Sequence, residues 1–198
     1  MEKKISIDYK DFKKNYNSKE PQLIILKFSS DFVDPVNSFM KISDDMENSF
    51  LFESLKDGDL SGRYSVIGIK PDKILKITNK TSKIYLDNNI EEVINDNPIE
   101  AIRYFINSSL IKKNYDIPSI ASGIFGYIGY DFVANIEDLP KEKIDEFDVP
   151  DSILLRPSIT VVFDKELKEI LICKAVWYVD GVDADNAYNF AIDEINQI

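Results

Sequence analysis

The sequence has 198 residues, a length that holds one domain or one domain with appendages and leaves no room for two independent catalytic domains. Apolar residues make up 44% and aromatic residues 12%, enough for a sizeable core, which excludes disorder as the main state. The formal charge is −11, from 24 basic and 35 acidic residues, and so acidic a protein meets a phosphate backbone with repulsion, which argues against nucleic acid as a partner.

Asp8 to Tyr16 has the pattern of a short helix, and Gln22 to Phe28, an apolar run bounded by Pro21 and Ser29, reads as a buried strand. Asp34 and Pro35 are an N-cap followed by proline at the first helical position. The spacing predicts a helix over Pro35 to Ile42, with Val36, Phe39, Met40 and Ile42 on its apolar side. Three strands are expected next: Phe50 to Ser54, Arg63 to Ile69, and Lys73 to Thr78. The last returns through a short polar loop to Lys83 to Leu86, as an antiparallel hairpin would. Asn97 and Pro98 open a helix whose Ile99, Ile102, Phe105, Ile106 and Leu110 share one face.

Ala121 to Tyr130 reads as a strand carrying three glycines, followed by a turn of helix over Asp131 to Ile136. Glu137 to Asp151 contains seven acids and two lysines and is expected to be a hydrophilic surface connector. Ser158 to Phe163 and Glu169 to Val179 form a hairpin around Asp164 to Lys168. Asp183 to Ile198 is a helix lined by Ala184, Ala187, Tyr188, Ala191, Ile192 and Ile195, which either docks on its own domain or leads into further protein. Met1 to Lys14 lacks the apolar run of a signal peptide, and no later stretch approaches a membrane span. With a single cysteine, Cys173, the expectation is a cytoplasmic protein that contacts no membrane.

The sequence contains no histidine, so Ser-His, Cys-His and His-ligated metal mechanisms are impossible within it. Gly123, Gly126 and Gly129 have the wrong spacing for a phosphate loop, and no Lys-Ser/Thr pair follows them. Glycines three apart instead predict close backbone approach by another element, with a bulge. The acids of 137–151 lack the alternation and closing glutamate of a calcium loop. One group stands out. Two adjacent strands present Glu53, Ser54, Arg63, Tyr64 and Ser65 together. A zwitterionic ligand needs such a set, a glutamate for its ammonium and an arginine for its carboxylate, although a plain cross-strand Arg–Glu pair would have the same spacing.

At these residues the chain resembles the N-terminal region of anthranilate synthase component I, in the chorismate-utilising enzyme family. The resemblance runs through 34–41 (DPVNSFMK), 49–54 (SFLFES), 62–68 (GRYSVIG), 97–102 (NPIEAI), 122–131 (SGIFGYIGYD), 137–140 (EDLP) and 159–164 (ITVVFD), in the family's order and over nearly the whole chain from Leu23 onward. It implies an α+β fold of antiparallel sheets with packed helices. Residues 1–20 would form an N-terminal arm and 21–180 the domain, with 181–198 a helix leading to a C-terminal chorismate-binding domain in cis. It implies an enzyme that makes anthranilate and pyruvate from chorismate with a glutamine amidotransferase subunit as partner, and that needs Mg²⁺. The family's catalytic and metal-binding motifs, among them a Glu-His sequence, lie in the larger C-terminal part and match nothing here, so neither a catalytic residue nor a metal ligand is carried over and the chain alone is expected to be inactive.

The resemblance also implies a share in feedback inhibition by L-tryptophan. Ser54 and Glu53 match the serine and glutamate of the family's Leu-Leu-Glu-Ser motif, with Phe52 in place of its second leucine. Pro35 and Arg63 stand where family members line or support the pocket, and Tyr64 either joins them or is structural. The alternatives are the equivalent part of aminodeoxychorismate synthase and a free-standing amino-acid-binding module.

Overall fold

The computed structural model describes residues 4–29, 33–43, 46–54, 62–86, 89–94, 97–112, 117–137 and 149–198. Its elements fall into two units, one formed by residues 1–71, 111–123 and 157–198, the other by 72–110 and 124–156. This division by packing differs from the one expected from sequence at residues 20 and 180.

In the first unit, β1 (Lys4–Ile5), β2 (Gln22–Ser29), β9 (Glu169–Val176), β8 (Ser152–Asp164) and β4 (Tyr64–Thr78) lie side by side in that order, and β3 (Phe50–Glu53) pairs with β4. The pairs β1–β2, β2–β9, β8–β9 and β3–β4 run antiparallel, for example with Ile24 and Ile159 on either side of Lys174. Three helices belong here: α1 (Tyr9–Asn17), α2 (Pro35–Ile42) and α4 (Ala184–Asn196). Each begins where a short acidic side chain can accept an orphan backbone N–H. Asp8 accepts from Lys10, Asp34 from Asn37 and Asp183 from Asn186, with Pro35 at the first position of α2. One face of the strands, with Ile24, Leu26, Ile67, Ile69, Ile159, Val161, Phe163 and Ile172, packs against Phe12 and Tyr16 of α1 and Ala187, Ala191 and Ile195 of α4. Fully burying side chains such as Phe12 contributes about 1.5–3 kcal/mol each. The C-terminal helix therefore docks on the unit that contains its own preceding strand.

The second unit holds the remainder of β4 and β8, with β5 (Thr81–Leu86), β6 (Asn89–Ile94), β7 (Phe125–Ile128) and α3 (Pro98–Asn107). Leu75, Ile77, Ile84, Phe105, Phe132 and Leu154 form its core. Arg156 is its most buried cation. It grips Asp72 through Nε at 2.7 Å and a second guanidinium nitrogen at 2.8 Å, and also donates to the Ser108 carbonyl. Ile106 and Leu110, expected on the packed face of α3, are exposed, because the helix is anchored through Ala101 and Phe105 and ends at Asn107.

Three expectations need correction. The strands expected over 63–69 and 73–78 are one strand, β4, which passes through Pro71 after Lys70 adopts a left-handed φ of 49°. Likewise β8 begins at Ser152, six residues before the expected start, and carries Pro157 in its interior. A proline without an N–H ordinarily ends a central ladder; here both prolines lie where the strands pass from one unit to the other. β6 was not foreseen, since NIEEVI alternates poorly.

The close approach expected at the glycines is found at Gly126, without the expected bulge, since β7 pairs with β8 in unbroken register. Gly126 has φ +151°, and a Cβ there would lie 1.9 Å from the Ile153 carbonyl oxygen of β8. The expected connector over 137–151 lies mostly outside the described residues, as does the 55–61 turn. Among the described residues no helix is long and apolar enough to cross a membrane.

Candidate functional site

The site expected from sequence lies in the first unit, where β3 meets the start of β4. The register sets Phe52 opposite Val66 and Glu53 opposite Ser65. Ser54 continues the pairing by donating its hydroxyl proton to the Tyr64 carbonyl. Because side chains alternate along a strand, Glu53 lies on the side of Leu51 and Ile67, the face against which α2 packs through Phe39 and Ile42. Glu53 itself is exposed. Pro35 sits half-buried at the head of α2. Gly62 is packed so tightly on Ser54 that a Cβ at position 62 would come within 2.2 Å of the serine Cβ.

Arg63 does not pair with Glu53. Its Nε donates to both Asp164 carboxylate oxygens at 3.0 and 3.1 Å, and a terminal nitrogen donates to one of them at 2.7 Å. The other terminal nitrogen is 3.3 Å from Glu166, and the guanidinium carbon lies 4.9 Å from the Tyr64 ring centre, within cation–π reach. Hydrogen bonding to Asp164 is the main reason the Arg63 guanidinium holds its proton more tightly than usual. Burial pushes the Asp164 carboxyl up, but the bonds from Arg63 and from the Leu167 and Glu166 N–H groups outweigh it and hold the carboxyl below its ordinary range. The next residue completes the connection: Lys165 donates its N–H to the Arg63 carbonyl at 3.0 Å and its Nζ to the Ser54 carbonyl at 2.8 Å.

The five residues expected together are neighbours in the chain pairing, but strand alternation sets Tyr64 on the face opposite Glu53 and Ser65, and Arg63 turns to a group not foreseen, Asp164, Lys165 and Glu166. Those three read only as a hairpin turn, and nothing local pairs them with residues 101 positions upstream. Ser65 adds an unexpected feature. It is fully buried, and its hydroxyl has no hydrogen-bond partner among the described residues. Such an orphan costs about 1–3 kcal/mol unless a further group satisfies it.

The arrangement can bind and orient a small polar molecule but offers no nucleophile–base pair. Nor does it fit the Mg²⁺ that the resemblance attaches to the larger enzyme. Among the described residues no three Asp, Glu or Cys side chains cluster as ligands, and Asp164 and Glu166 are engaged by Arg63.

The chain as a whole is similar to proteins of one family. The chain is 31% identical over 191 residues to anthranilate synthase component 1 of Cereibacter sphaeroides, a match that covers 94% of this chain and 38% of that protein. The chain is a relative of anthranilate synthase component I. Component 1 of Thermus thermophilus is 30% identical over 144 residues, 73% of this chain and 30% of the other. The chain thus spans roughly a third of the length of these component I relatives. The crystal structure of component I from Streptococcus pneumoniae superposes with a TM-score of 0.50 at 19% identity, over 83% of this chain and 33% of the other. That likeness shows that the component I fold, an α+β arrangement with antiparallel sheet, is shared. No family model matches the chain.

Proposed function

We propose that this chain is the N-terminal regulatory and structural part of an anthranilate synthase component I, and that the β3–β4 junction forms one wall of an L-tryptophan feedback site. The observation that carries the reading is the similarity to component I over 94% of the chain. The chemistry of the junction is consistent with it. Glu53 suits an ammonium, Arg63 a carboxylate, and the buried Ser65 hydroxyl and Ser54 offer further polar contacts, while Pro35 and Tyr64 supply apolar surface.

In this account the reactive centre and its Mg²⁺ belong to a C-terminal chorismate-binding domain in cis, and a glutamine amidotransferase subunit supplies ammonia. The whole cytoplasmic enzyme converts chorismate into anthranilate and pyruvate, the first step of tryptophan biosynthesis. The 198 residues alone are inactive. Tryptophan acts by binding more tightly to an arrangement of the two parts that disfavours chorismate, and a coupling of about 1–3 kcal/mol gives 5- to 150-fold effects. The test is a product assay on the full-length polypeptide with its glutaminase partner. Anthranilate that falls as L-tryptophan is added is expected. Aminodeoxychorismate as product, or turnover indifferent to tryptophan, would refute the reading.

A further inference from the structure

We propose that Asp164, with Lys165 beside it, is a positioning residue of the amino-acid site: Asp164 aims the Arg63 guanidinium, and Lys165 ties the backbone of Ser54 to that of Arg63. The inference rests on the tryptophan reading and adds to it a turn from the far end of the sequence.

An exposed arginine ordinarily samples many rotamers and must be ordered when it binds, which weakens binding; an arginine held in place beforehand avoids that cost. Arg63 retains 35% of its side-chain exposure, whereas the Asp164 side chain retains 3%. Asp164 is itself immobilised. Its carboxylate closes the turn between β8 and β9 by accepting the N–H groups of Glu166 and Leu167 at 3.0 and 3.1 Å, and from that fixed point it takes the Nε edge of Arg63. Among the described residues, the exposed carboxylate of Glu166 faces the opposite edge, at 3.3 Å, and that edge has further N–H donors to offer a ligand carboxylate. Lys165 makes the second grip, with its N–H on the Arg63 carbonyl and its Nζ on the Ser54 carbonyl. Two consecutive residues of one turn thus fix the spacing between the two residues assigned to the ligand.

The test compares L-tryptophan with tryptamine, which has the same indole and ammonium but no carboxylate, by calorimetric titration of the full-length polypeptide. Asp164→Asn keeps an oxygen for the turn N–H groups and removes the charge that holds Arg63. It is expected to weaken L-tryptophan about tenfold and to leave tryptamine within about twofold, because only the ligand with a carboxylate uses Arg63. Asp164→Glu keeps the charge but displaces it, and a smaller loss, again confined to L-tryptophan, is expected; it serves as the readout if the asparagine variant does not fold. Equal weakening of both ligands would mean that Asp164 only maintains the fold, and unchanged L-tryptophan affinity would also overturn the proposal. Failure of the unsubstituted polypeptide to bind L-tryptophan would overturn the tryptophan reading and this inference with it, a result distinct from the other two.

Discussion

A single methyl group should cost most at Gly126. Its φ of +151° is one that residues with a Cβ rarely adopt, and the new atom would meet the Ile153 carbonyl, which belongs to a paired strand and cannot move aside. Gly126→Ala is expected to lower unfolding stability by at least about 2 kcal/mol in a urea titration. Gly181→Ala is the control. It shares the positive φ, at +83°, but has nothing within 4 Å, and should cost less. At Ser54, packed against Gly62, Ser54→Ala removes the hydroxyl without adding bulk, and in the full-length enzyme it should weaken inhibition by tryptophan and leave uninhibited turnover within about twofold. Equal loss of both would make Ser54 a folding residue. The close backbone approach at Gly126 was legible in the sequence, since a glycine spacing of three fits neither strand face, but the bulge expected with it was not formed. The partner of Arg63 was not legible, because local order offered only Glu53 while the better-placed acid comes from a distant turn.

Among the elements, the acids that join strands to one another and to helices determine the response to pH. Glu194 of α4 accepts from Lys70 of β4 at 2.8 Å and from Lys174 of β9 at 2.5 Å. Burial raises its carboxyl, but the two lysines more than offset this, and it ends below its ordinary range, as Asp164 does. A carboxyl with a folded pKa below its unfolded one stabilises the fold fully above the unfolded value and loses that contribution as pH falls through the folded value. Stability should therefore be level at neutral pH and decline below about pH 4. In denaturant titrations at stepped pH, Glu194→Gln should be less stable at pH 7 and show a shallower acid decline; an unchanged slope would contradict this. In the second unit, Asp72→Ala would remove the two charged hydrogen bonds that Asp72 accepts from the buried Arg156 guanidinium, and is expected to cost about 2–3 kcal/mol by thermal or chemical unfolding. Helices were the most legible elements, since Asp8, Asp34, Asn97 and Asp183 announce their starts. The long strands β4 and β8 were not, because Pro71 and Pro157 carry a local signal to stop that tertiary pairing overrides.

On the scale of the whole molecule, the chain accounts for 38% of its Cereibacter relative, and the proposed site shows what a partial wall implies. One strand junction cannot cover both faces of an indole, whose burial contributes about 2 kcal/mol or more when complete. The binding of tryptophan should therefore depend on protein beyond these residues. The decisive measurement is a pair of calorimetric titrations with L-tryptophan, one into residues 1–198 and one into the full-length polypeptide. Saturable binding to the full-length polypeptide with weak or no binding to residues 1–198 is the expected result; micromolar binding to residues 1–198 alone would contradict the account.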